Sequence, residues 1–189
     1  MNTTKTNLTG KLLIAMPGML DPRFDHSVVF LCAHSHEGTM GLVVNKPASD
    51  INLGDLLQQL DIPGGADSSG QPIFYGGPVE IGRGFVLHSS EYGIESGTLE
   101  VNDSFAMTAT KEVLEDIAAG HGPRVALPAL GYAGWGPGQL EGEIRENAWL
   151  TAEADYGIVF ETAIADKWAA ALGKLGISPL TLSAEGGRA

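Results

Sequence analysis

Cysteine occurs once in the chain, at Cys32. A disulfide within the chain is therefore excluded, and thiolates alone cannot assemble a zinc or iron–sulfur centre. Basic residues are scarce as well, 11 against 23 acidic ones, which gives a formal charge of −12. That balance repels phosphate backbones at long range, and no two lysines or arginines stand side by side to form a basic run. Direct nucleic-acid binding is disfavoured, and a basic or neutral partner is favoured. No apolar run approaches the roughly 18 residues that span a bilayer. The apolar start KLLIAMPGML breaks at Pro17-Gly18 without a cleavage-site pattern, so it does not read as a signal peptide. The expectation is a cytoplasmic protein with no membrane association. Also missing are the phosphate-cradling G-x-x-x-x-G-K-[ST] loop, the dinucleotide-binding G-x-G-x-x-G turn and the G-x-S-x-G elbow. GIESG is a near miss whose Ser96 lacks the strand-to-helix setting. No cofactor is expected.

What the chain has in excess is glycine, 26 residues or about 14% against a typical ~7%. With 43% hydrophobic residues the chain can bury one sizeable core, and residues 1–189 read as one domain with flexible ends at 1–9 and 183–189. Strands are expected at Lys11–Ala15, in SVVFLCA and MGLVVN on either side of the turn HSHEGT, and at Ile73–Tyr75, Gly84–His88, Thr98–Val101 and Phe105–Thr108. RVALPAL is one more, and Pro47 is expected to close the strand MGLVVN. Leu53, Leu56, Leu57 and Leu60 recur at helical spacing and predict a helix over Leu53–Leu60, capped by Asn52. Thr110 and Gly120 bracket a second helix, Lys111–Ala119, with Val113, Leu114 and Ile117 inward. A third opens at Pro137 with Leu140 and Ile144 inside. A fourth runs from about Ile164 to Leu175, burying Ile164, Trp168, Leu172 and Leu175. Strand groups interrupted by single helices argue for an α+β fold: a mostly antiparallel, curved sheet with about four flanking helices.

Chemistry-bearing residues are few. The HSH segment brings His34 and His36 near each other, with Glu37 adjacent and His26 or His88 as distant further ligands. No strong ligand spacing supports a metal, and none is expected. Cys32, inside VVFLCA, reads as a packed thiol. In YGGPV, Gly76 and Gly77 either bring bare N–H groups to an anion or form a tight turn before Pro78. The densest candidate is LGYAGWGPGQLEGEIRENAWL, Leu130 to Leu150. Trp135 offers a large face and one N–H, Gln139, Glu141 and Asn147 are placed to share a cleft, and a helix start near Pro137 would favour a negative group. The structural alternative makes Trp135 and Trp149 core anchors and Glu141, Glu143 and Glu146 a solvated helix face.

In order, GKLLIAMPGMLDPRFDHSVVFLCAH, GLVVNKP, YGGPV followed by GFVLH, LGYAGWGPGQLEGEIRENAWL and IADKWAAALGKLGI resemble the AlgH/YqgE family of bacterial proteins, from about Gly10 onward. The family's pattern is met at His34, Asn45, Pro47, Gly76, Gly77, Pro78, Gly131, Tyr132, Gly134, Trp135, Gln139, Leu140, Glu141, Asn147 and Trp149, while His36 departs from it. The resemblance implies an α+β fold whose bifurcated sheet curls into a pseudo-barrel. It implies little chemistry. Such proteins are described as uncharacterised or as transcriptional regulators, linked in one branch to alginate production, and no catalytic residues carry over.

The favoured reading is a binding or regulatory protein acting through a small ligand or a protein partner. Its recognition residues are drawn from His34, Asn45, Lys46, Gly76, Gly77, Pro78, Tyr132, Trp135, Gln139, Glu141 and Asn147. The alternative is a hydrolytic or group-transfer enzyme with Glu141 or His34 as general acid/base and the Gly76-Gly77 amides as an oxyanion cradle. No nucleophile–base or metal motif anchors that alternative. Direct DNA binding would need a basic recognition helix, whereas KEVLEDIAAG and LGDLLQQL are neutral or acidic.

Overall fold

The computed structural model describes residues 7–66 and 69–178. Along the chain come β1 (Lys11–Ala15), β2 (Val28–Ser35), β3 (Gly38–Val43), β4 (Pro47–Asn52), α1 (Leu53–Gln59), β5 (Pro72–Tyr75), β6 (Val79–Ser89), β7 (Thr98–Glu100), β8 (Phe105–Thr108), α2 (Lys111–Ala119), β9 (Ala126–Trp135), α3 (Gln139–Arg145), β10 (Trp149–Glu153) and α4 (Lys167–Lys174). Eight strands follow one another as β10-β1-β2-β3-β9-β6-β8-β7, and β4 with β5 branches off at β9. The result is the expected α+β half-barrel, antiparallel except where β5 runs parallel to β9. Residues 183–189 and most of 1–9 lie outside the described residues. Leu8, within that first segment, is buried.

β9 is where the sheet divides. Its first half pairs with β6 and β5, and its second half pairs with β3, Met40 lying opposite Gly134. Gly131, with φ +76°, turns the strand between the halves. Beside it the connection from β5 to β6 passes so close that a Cβ on Gly76 would sit 2.2 Å from Gly131 O, and one on Gly77 2.1 Å from the Tyr132 carbonyl carbon. The Gly76 N–H donates to Leu130 O (2.9 Å), and its carbonyl accepts from Val43 N–H (2.8 Å).

Near-continuous apolar runs in β1 and β2 follow from burial on both faces. Leu12, Ile14, Val28, Phe30 and Cys32 point into one core with Phe105, Val159 and Leu172. Their neighbours Leu13, Ala15, Val29 and Leu31 point into another with Trp135, Leu140 and Trp149. A third cluster lies beneath α1 and α2.

Several elements differ from the sequence expectation. Pro47 begins β4 instead of ending a strand; this is a peripheral strand paired only with β5, where a residue lacking N–H is tolerated. Asn52 and Asp55 form a reciprocal capping box at α1, whereas Thr110 makes no side-chain cap to α2. Leu56, Leu60 and Ile117 are only half-buried. The strand RVALPAL continues to Trp135, α3 begins at Gln139 after Gly138, and Trp149 opens a further strand. All four helices end alike, with a left-handed residue (Asp61, Gly120, Asn147 or Gly176) and a six-to-one hydrogen bond such as Ala148 N–H to Glu143 O at 2.9 Å.

The predicted fourth helix, Ile164 to Leu175, forms with a 3-10 first turn. A π-helical turn over Gly157–Glu161 and a 3-10 turn over Ile164–Asp166 precede α4. Ile164 and Trp168 are half-buried and Leu175, the C-cap, is exposed, while Lys167 takes an inward position. Its ammonium donates to Val44 O (2.8 Å) and Val159 O (2.7 Å) and lies 4.9 Å from the Phe74 ring centre. Burial pushes its pKa down to about 8.

Two outcomes follow. Gly77→Ala and Gly131→Ala should each lower the unfolding free energy by about 3 kcal/mol or more, since the collisions are with backbone. Gly18→Ala, with no atom within 4 Å of its Cβ, should change it by no more than about 0.5 kcal/mol; denaturant titration measures all three. Lys167 releases its proton near pH 8 when folded but near 10.4 when unfolded, so it disfavours the fold at low pH and adds stability as pH rises through that window. The stability of wild type relative to Lys167→Met should grow by about 3 kcal/mol from pH 8 to 10.5; a flat difference would contradict this. Taking the difference removes the opposing contribution of Cys32, whose thiol burial pushes up to about 12.

Candidate functional site

Where the end of β9, α3 and the start of β10 face the loop after β1, a cavity of about 890 Å³ opens. Its aromatic wall is Phe24, Trp135 and Trp149, with ring centres 5.6 to 6.2 Å apart. The two indoles are only 5% and 2% exposed, so their N–H groups need partners. Glu143 supplies both: its Oε1 accepts from Trp135 Nε1 (3.3 Å) and Trp149 Nε1 (3.0 Å). Its Oε2 accepts from Gln139 Nε2 (3.0 Å), while Gln139 Oε1 accepts from Gly136 N–H (3.0 Å). Asn147 lines the cavity from the left-handed position that ends α3, and Pro78 from the start of β6.

The facing loop is tied down from within and from below. The Arg23 guanidinium grips Asp21 through Nε (3.1 Å) and Nη2 (2.8 Å), which holds the Asp21 carboxyl below its ordinary pKa. Asn45 donates to His26 O (2.8 Å) and accepts from Val28 N–H (2.9 Å), and Lys46 Nζ donates to Arg23 O (3.3 Å). Asn45 and Lys46 therefore position the loop and do not line the cavity. Burial lowers the Lys46 pKa.

His34 and Glu141 meet elsewhere, in a groove of about 790 Å³ with Leu8, Ile144 and Arg145. His34 Nδ1 accepts from Leu8 N–H (3.1 Å), so the ring proton is on Nε2, which donates to Glu141 Oε1 (2.5 Å). The His34 hydrogen bond holds the Glu141 carboxyl below its ordinary pKa. Both ring nitrogens are thus engaged, and the imidazole joins the N-terminal segment to β2 and α3. Glu141 and Glu143 cannot share one cleft because residues two apart on a helix point about 200° apart. Gln139 and Glu143, four apart, do share a face.

Gln139, Trp135, Asn147 and Pro78 are thus brought together, and His34 with Glu141 forms a second group. Tyr132 lies edge-on to Phe85, centres 5.7 Å apart, in a shallower third hollow. Gly76 and Gly77 are at the strand crossing, and the Gly76 N–H is taken by Leu130 O. Cys32 is 1% exposed, as its apolar run predicts. Among the described residues no three His, Cys, Asp or Glu side chains gather as metal ligands. Sequence reasoning missed Phe24 and the role of Glu143. The i, i+4 spacing of Gln139 and Glu143 was the available signal for Glu143, but nothing local marks Phe24, more than 100 residues from Trp135.

Fold and site together define a single-domain α+β half-barrel with a preformed aromatic cavity at one end of its dividing strand. The family profile described as AlgH-like matches residues 12–180. A UPF0301 protein of Paracoccus denitrificans is 55% identical over 97% of this chain and 98% of its own length, and one of Ruegeria pomeroyi is 58% identical over 97% and 100%. The solution structure of the AlgH protein from Pseudomonas aeruginosa matches with TM-score 0.80 and 43% identity, covering 97% of both chains. A Corynebacterium diphtheriae structure, 20% identical with TM-score 0.72 over 92% of this chain and 90% of its own, shares the fold. The chain belongs to the AlgH-like family.

Glu143→Ala leaves two nearly buried indole N–H groups without an acceptor and should cost about 2–4 kcal/mol. Glu141→Ala removes a carboxylate that is 37% exposed and strands a single N–H, on a His34 side chain that is 9% exposed, so it should cost less, about 1–2 kcal/mol. Chemical denaturation of the two variants checks the order; a larger loss for Glu141→Ala would contradict the assignment.

Proposed function

We propose that this AlgH-like protein is a binding protein without chemistry of its own, recognising a small ligand or protein partner at the aromatic-walled cavity. Its effect on transcription, the role suggested by the family resemblance, then runs through that occupant and not through contact with DNA. One observation carries the reading. The cavity is large, preformed and mostly apolar, with a few convergent polar groups, yet among the described residues no serine, threonine, cysteine, lysine or histidine lines it. The Asp21 carboxylate is gripped by Arg23 and that of Glu143 accepts three N–H donors, which suits positioning more than proton transfer. Against DNA stand the net charge of −12 and the absence of basic residues from the last turns of α1 and α2.

A second reading, acid–base chemistry at the other groove, is favoured by the 2.5 Å contact between His34 and Glu141. It requires release of His34 Nδ1 from Leu8 N–H, because no other ring lone pair is available to take a proton.

A thermal-shift screen of metabolites, amines and peptides against wild type and Trp135→Phe tests the first reading. A ligand at 100 times its Kd adds about 2.7 kcal/mol, or roughly 5–10 °C in a domain of this size. The shift should vanish in the variant. Equal shifts in both proteins would move the site away from the cavity, and sequence-specific DNA binding that weakens steeply with salt would end the indirect reading.

A further inference from the structure

We infer that the cavity's occupant is a basic, apolar peptide segment of a partner protein, its lysine or arginine set against the α3 carboxylates and its large apolar side chain against Leu20 and the aromatic wall. This rests on the cavity being the recognition site and goes further by naming what enters it.

Leu20 stands on the rim with 95% of its surface exposed, beside Pro17 and Met19. A chain laid across the rim covers so exposed an apolar side chain, as apolar anchors are covered at protein interfaces. The mouth's charge selects the partner. Asp21, Glu143 and Glu146 line it with one cation, Arg23, which is already bound through two nitrogens to Asp21. Neither Glu143 nor Glu146 has an ion pair among the described residues. A guanidinium or ammonium entering there meets carboxylates at the edge and the half-buried Phe24 ring behind them, both attractive to a cation. The chain's charge of −12 steers the same kind of partner and repels phosphate and anionic lipid.

The test is to pan a phage-displayed random dodecapeptide library against the full chain. Selected peptides, and scrambled versions of identical composition, are then titrated calorimetrically into wild type, Leu20→Asp, Glu146→Lys and Trp135→Phe. Selected peptides should carry Lys or Arg close to Leu, Met, Phe or Trp, and should bind at least tenfold more tightly than their scrambles. Leu20→Asp and Glu146→Lys, at exposed positions, should each weaken binding tenfold or more with no change in Tm. Peptides without a basic residue, or peptides bound equally by their scrambles, overturn the inference. If no peptide is selected while a small molecule stabilises wild type but not Trp135→Phe, the peptide inference falls and the cavity reading stands. Peptides bound equally by all four proteins overturn both.

Discussion

Where the link between β5 and β6 crosses β9, two backbones touch with no room for a Cβ on Gly76 or Gly77, and the opposing strand turns at Gly131. Close backbone approach of this kind needs glycine, and much of the architecture depends on it. The crossing lets β9 exchange β5 for β3 along its length, which divides the sheet. It also carries Pro78 and Val79 to the end of β9 that holds Trp135, so that the start of β6 becomes part of the cavity wall.

A polar group completes the construction. Trp135 ends one strand and Trp149 begins another, and the short helix between them brings Glu143 within hydrogen-bond reach of both indoles. Burying two tryptophans side by side would otherwise strand two N–H donors in an apolar setting. Because Glu143 accepts both and Gln139 holds its other oxygen, the two rings are held in place by hydrogen bonds within the chain. The opposite side of the same helix gives Glu141 to His34, so seven residues separate two grooves of different character.

Lys167 solves a related problem in another part of the molecule. A π-helical turn leaves the Val159 carbonyl, and the end of β3 leaves the Val44 carbonyl, to be met by a single side chain. The arrangement joins α4 to the sheet through a buried cation held by carbonyls and the Phe74 ring, with no acid among its hydrogen-bond partners.

The sequence by itself determined the elements whose signal is local. Leucine spacing and Asn52 marked α1, Thr110 and Gly120 bracketed α2, and alternating or continuous apolar runs gave most strands. The family resemblance added the divided, curled sheet. Ambiguity remained where one pattern serves two ends: Gly-Gly-Pro suits a turn or a strand crossing, and a carboxylate on a short helix suits water or a buried indole. Only the tertiary structure decided these, because the deciding partners are distant in the chain: Gly131 for Gly76, Phe24 for Trp135, Leu8 for His34 and Val44 for Lys167. Local sequence fixes backbone preference and periodicity, whereas a site is made of contacts that exist only after distant segments have packed together.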